Sequence, residues 1–180
     1  MTPGDLVLIK SPRTWRVWQC WDTWLVWLGQ TVRVLLGHFL DPYPHVAFHV
    51  KLRLCAYSHA ALLATPITIL QSDEQGVHES PLSDLNGTDC TWIDSGDTEA
   101  DRAEVLAYAR SLVGHTYGFV RFFFLVPSYV TGLAFSFGID GWRFCSGYVA
   151  DAEGRGKAIY PRDAQNMAPL DMALFYRLTA

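Results

Sequence analysis

The stretch FCSGYVADA, residues 144–152, sets a cysteine, a serine and a glycine ahead of a run of helix formers. The thiolate is the nucleophile, and a free thiol with a pKa of about 8.5 is only slightly ionised at neutral pH. The positive end of a helix and a paired histidine both favour the anion. With Gly154 and Gly156 closing the run, the spacing predicts a short helix with Cys145 at its N-terminus. Six histidines could act as base, and none of them follows Cys145. His59, in YSHAALLA, opens an apolar strand, where the backbone can hold an imidazole rigidly across from a helix start. Position alone leaves the choice among the six open. A free cysteine otherwise packs as a small hydrophobe, and that reading is kept for Cys20, Cys55 and Cys90.

The elements that must position these groups follow from hydrophobic period and turn residues. GDLVLIK reads as a first strand after a turn at Gly4 and Asp5, and YSHAALLA and PITILQS read as two more, divided at Thr65 and Pro66. HVAFHVKLRL alternates, with Val46, Phe48, Val50, Leu52 and Leu54 on one side, so a half-buried strand is expected with His45 and His49 on its wet face. Lys51 and Arg53 share that face and would repel a cation, which argues against a zinc pair there. SDEQG and HESPLSDLNG read as turn-rich, with His78 in solvent, before a short TWID run. Thr98 and Asp101 then predict a capped helix with an apolar face of Val105, Leu106, Ala109, Leu112 and Val113, ended by Gly114.

A chain of 180 residues, half of them hydrophobic and 14% aromatic, is expected to fold as one domain over residues 1–180. A net charge of −4 with no basic stripe argues against nucleic acid as a partner. The four cysteines show no CxxC spacing, so free thiols are expected rather than a disulfide framework or a zinc site. MTPGDLVLIK lacks the pattern of a signal peptide; synthesis in the cytoplasm is expected, with any export by another route.

Two apolar stretches stand apart. Residues 15–40, from Trp15 to Leu40, carry tryptophans at every third position to Trp27. That step drifts by about 60° per ring around a helix, so the rings spread over its circumference. Gln30, Arg33 and His38 in this stretch, and Arg121, Pro127 and Gly132 in residues 119–138, interrupt the ~20 apolar residues a membrane span needs. The Trp-rich helix is expected to serve the core and a protein contact in an assembly, or else a membrane surface.

GHTYGFV, then FCSGYV, then YPRDAQNMAP resemble, in that order, the first half of the NlpC-type papain-like cell-wall peptidases. The second half of that family's pattern, a GDL-V strand, a strand opening on histidine and a strand with a polar third residue, is matched at the front of this chain by GDLVLIK, SHAALLA and ITILQS. The chain therefore resembles the circularly permuted branch of the superfamily, in which histidine precedes cysteine; a site is defined by geometry and not by chain order. Arg143 and Phe144 stand where the ordinary family has an aspartate before the cysteine, and GHTYGFVRFF lacks the paired glycines after the tyrosine.

The resemblance implies an α+β papain-like fold, an antiparallel barrel-like sheet packed against helices, with insertions at about 13–44 and 119–140. It implies a cysteine hydrolase acting on an amide bond of peptidoglycan peptides, with no metal or organic cofactor. Cys145 is then the nucleophile and His59 the base. Gln71, twelve residues after His59, is the third residue that accepts the second ring N–H, with Glu79 as the alternative, and Tyr117 faces the substrate carbonyl. Relatives in the permuted branch similar to lecithin-retinol acyltransferase make a lipid acyl substrate the rival. A structural subunit of a phage tail or secretion machine is the non-enzymatic rival.

Overall fold

The run LVLI has no polar side, so a strand made of it needs cover on both faces. The computed structural model describes residues 1–10, 21–36, 43–118, 144–160, 164 and 167–178, with side chains from residue 25 onward in the second stretch. In it β1 (Leu6–Lys10) lies between β2 (Tyr57–Thr65) and β5 (Cys90–Ile93). With β3 (Thr68–Asp73) and β4 (Gly76–Pro81) they form one antiparallel sheet of order β4-β3-β2-β1-β5. Among the described residues five helices accompany it: α1 (Trp21–Leu36), α2 (Phe48–Leu54), α3 (Glu99–Ser111), α4 (Cys145–Glu153) and α5 (Pro169–Phe175). The architecture is α+β. Leu6, Leu8, Ala60, Leu62 and Leu70 join α3, α4 and α5 in the main core, while Val7, Ile9, Ala61, Leu63 and Ile69 make a smaller cluster covered by Leu82, Leu85 and Trp92. Burial on both sides explains why β1 and β2 read as unbroken apolar runs.

The expected strands at the front of the chain are present, and Thr98 caps α3 with Asp101 as the spacing requires. Val113 falls past the end of α3 and is exposed, because the helix closes at Leu112 and the chain turns at Gly114 with φ 89°. Part of the stretch expected as turn folds back as β4. Asp73 Oδ1 accepts from Gln75 N at 2.9 Å and Gly76 takes φ 92°, closing a tight hairpin that sets Gln71 opposite His78. The insertion expected at 119–140, and Trp15, Trp18 and Cys20, lie outside the described residues.

One element differs in kind. Residues 48–54, expected as a strand, form α2. Val46, Val50 and Leu54 are also spaced i, i+4, i+8, and this helical stripe is the one that packs, with Leu54 fully buried. Lys51 and Arg53 fall in the last turn, where cations suit the helix dipole. His45 and His49 are exposed.

Residues 21–36 are helical, as the Trp-rich stretch predicts. The polar residues that interrupt α1 anchor it. Gln30 is fully buried: its Nε2 donates to the carbonyls of Cys55 (3.1 Å) and Tyr57 (2.9 Å), and its Oε1 accepts from Leu170 N at 2.8 Å. Arg33 makes a two-pronged pair with Asp171, at 2.8 and 2.7 Å, both side chains buried. Together they bolt α1 to the start of β2 and the first turn of α5. No helix among the described residues is long and apolar enough to cross a membrane. Arg33→Ala leaves the Asp171 carboxylate buried without its guanidinium, and a loss of ~3–5 kcal/mol is expected in chemical denaturation. A loss under about 1 kcal/mol would mean water replaces the pair.

Glu153, at the other end of α4 from Cys145, is fully buried. The hydroxyls of Tyr160 and Tyr176 donate to its carboxyl, the latter at 3.0 Å. Burial pushes its pKa up to about 7, against the lowering effect of the two phenols. The folded chain therefore holds this proton where the unfolded chain has released it, so stability falls as pH rises from the ordinary glutamate range toward 7. Glu153→Gln should remove a penalty of about 3 kcal/mol above that window and leave stability below it nearly unchanged. Thermal melts at pH 4.5 and pH 8 measure it.

Candidate active site

Cys145 is the first residue of α4, and it is buried. Phe144 before it is extended (φ −105°, ψ 162°) and makes no side-chain cap, which leaves first-turn N–H groups available to an anion. The rest of the CSG triplet has packing reasons. Ser146 Oγ donates to the Met167 carbonyl at 2.8 Å, tying the helix start to the segment before α5. A Cβ on Gly147 would come within 2.8 Å of the Phe144 ring and 3.2 Å of the Ala164 carbonyl oxygen, so only glycine lets that ring lie against the first turn.

His59 reaches Cys145 through an irregularity in the sheet. Ile9 pairs with His59 but Lys10 pairs with Tyr57, so Ser58 is an extra residue and β2 bulges just before the histidine. Bulges of this kind re-aim the neighbouring side chain. Alternation of the ladder supplies a second contact. Leu63 exchanges backbone hydrogen bonds with Gly4 and Asp5 on the β1 side, so the amides of Ala60 and Leu62 point toward β3. The β2–β3 pairing reaches only as far as Ala61 and Gln71. The Ala60 N–H is left over, and it donates to the Cys145 sulfur together with the N–H of Ser146.

Cys145 and His59 are hydrogen-bonded to each other. Burial opposes charge on both, pulling the imidazolium down and pushing the thiol up. The opposite charges and the bond between them outweigh it, so His59 lies above its ordinary value and Cys145 below. His59 Nε2 is 3.0 Å from Gln71 Oε1. An amide oxygen only accepts, so Nε2 carries the proton and Nδ1 is the nitrogen left for the thiol.

The structure thus brings Cys145, His59 and Gln71 into one hydrogen-bonded row. Glu79 is elsewhere: it accepts from Thr68 Oγ1 at 2.5 Å and lies 3.9 Å from Arg110. Tyr117 is buried in the main core, which also holds Phe144. His78 is not in solvent as expected but half-buried beside Gln71, and Ser80 Oγ accepts from Gln71 Nε2 at 2.9 Å. Nothing in the composition of HESP marks these two; only the cross-strand register brings them to Gln71. Burial pushes the Cys55 thiol up to about 11 and raises that of Cys90, and neither has a histidine partner among its perturbing groups. Among the described residues no group of three His, Cys, Asp or Glu could hold a metal ion.

No protein-family model matches this chain, and no curated protein matches it. The likeness to NlpC-type peptidases therefore stands on the short motifs alone.

Proposed function

We propose that the chain is a cysteine hydrolase of the permuted NlpC-type, papain-like kind, acting on an amide bond of peptidoglycan peptides. The observation that carries the reading is the row Cys145–His59–Gln71, with the sulfur at a helix start and the ring above its ordinary pKa. The Cys145 thiolate adds to the substrate carbonyl carbon, and the oxyanion takes N–H donors from the first turn of α4. Imidazolium His59 gives its Nδ1 proton to the leaving amine, the C–N bond breaks and a thioester remains. Neutral His59 then takes a proton from water as it attacks. The thioester C–S bond breaks, releasing the acid, and the thiolate–imidazolium pair is restored. The family resemblance, and not a contact to Cys145, is what assigns Tyr117 to the substrate carbonyl. No step calls for a cofactor.

A second reading keeps this chemistry and changes the substrate to a lipid acyl group. It is favoured by Trp27, Leu35 and Leu36, which are exposed on α1. Incubation of wild type and Cys145→Ala with muropeptides and with mixed phospholipids, read by mass spectrometry, separates the two. Cleaved peptides that depend on Cys145 support the first reading; fatty acid or transacylated lipid transfers the assignment to the second.

A further inference from the structure

The Gln71 carboxamide has two ends of equal size, and only one of them serves His59. With the oxygen toward the ring, Nε2 keeps its proton and Nδ1 is free to take the proton of the thiol. Turned over, the NH₂ would face Nε2, which must then accept; the proton moves to Nδ1 and the ring can no longer act as base toward Cys145. Something must choose between these orientations. Ser80 cannot, because a hydroxyl accepts from an NH₂ or donates to a carbonyl equally well.

His78 can. Its Nδ1 is 3.1 Å from the Gly76 carbonyl, which only accepts, so in the neutral ring the proton is on Nδ1 and Nε2 is a bare acceptor. That Nε2 lies 3.5 Å from Gln71 Nε2, a long contact but one of the right polarity. The groups that face His78 are the Asp73 carboxylate from β3, 3.6 Å from Nδ1, and Gln71 with His59 beyond it. Ser80 follows on its own strand, and the backbone of residues 114–115 runs beside Val77.

We propose that His78 is a positioning residue: accepting through Nε2, it holds the NH₂ of Gln71 away from His59 and so sets the tautomer of the base. This rests on the catalytic reading of Cys145, His59 and Gln71. It extends that row by one residue across the β3–β4 pair, where His78 is directly opposite Gln71. Replacement by a group that only donates must turn the carboxamide over. Replacement by one that can still accept must not. A carboxylate at position 71 has no donor end, and should be indifferent to either change.

The test compares His78→Lys and His78→Gln, each with Gln71 and with Gln71→Glu. The tautomer of His59 is read by ¹⁵N NMR in Cys145→Ala versions, where no thiolate charges the ring. Cys145 alkylation by iodoacetamide is read in the versions that retain the thiol. His78→Lys should move the His59 proton from Nε2 to Nδ1 and slow alkylation near pH ~7.5 by about tenfold, whereas His78→Gln keeps both readouts near wild type. With Gln71→Glu, His78→Lys should cause neither change. Equal losses in both backgrounds, or His78→Gln as slow as His78→Lys, would make His78 a merely structural residue and overturn the proposal. An unchanged His59 tautomer in His78→Lys would do the same. The tautomer readout does not depend on catalysis. Ordinary thiol behaviour in the wild type would count against the catalytic row, and an unmoved tautomer against the role of His78.

Discussion

Cys145→Ser should lower turnover by on the order of 10⁴-fold or more, the scale on which removal of a nucleophile acts when the other groups of its unit are left in place. The substitution keeps the helix start, and the hydroxyl fits where the thiol was, so the fold should be retained. What is lost is the anion: a hydroxyl beside a histidine is not ionised in the ground state, whereas the Cys145 thiol is held below its ordinary pKa by the His59 charge. Cys55→Ser and Cys90→Ser should leave the rate unchanged, because burial raises both of those thiols. The rate on whichever substrate is cleaved, measured for all three variants at equal folded concentration, decides it. Comparable losses at Cys90 would remove the assignment of the nucleophile.

His59→Ala should be nearly as severe, about 10³- to 10⁴-fold, since it removes both the base and the charge that ionises the thiol. The two losses should not add. In Cys145→Ser/His59→Ala the rate should be no lower than in the worse single variant, because residues acting as one unit fail together. Additive losses would mean that the two side chains contribute to turnover separately. His49→Ala should have no effect, since that residue is exposed on α2.

What was legible in the sequence was legible for local reasons. LVLIK, SHAALLA and ITILQ are short apolar runs bounded by turn residues, and they became β1, β2 and β3. Thr98 and Asp101 announce a helix start by themselves, and CSG with two glycines beyond it announces α4. HVAFHVKLRL misled because one set of residues satisfies two periods; a helix was preferred because α2 packs its Val50 and Leu54 side with α5 into the main core. The Ser58 bulge that aims His59, the spare Ala60 amide on the sulfur and the place of His78 are matters of register, which depends on strands far apart in the chain. Gln30 and Arg33 looked like interruptions of an apolar helix. They are its anchors, because their partners lie in β2 and α5.

The central claim is that Cys145 and His59 share charge as a thiolate–imidazolium pair, and the rate of Cys145 alkylation against pH tests it most directly. The His59 charge lowers the thiol and the thiolate raises the ring, and in a thiolate–imidazolium pair the sulfur is already ionised below the free-thiol range. The rate should therefore hold at a plateau well below the pKa of about 8.5 of a free thiol, and in His59→Ala that plateau should disappear. Iodoacetamide labelling with peptide mapping, from pH 4 to pH 10, gives the curve for Cys145 beside those of Cys55 and Cys90. A single rise at or above the free-thiol value, the same with and without His59, would contradict the pair and the function built on it.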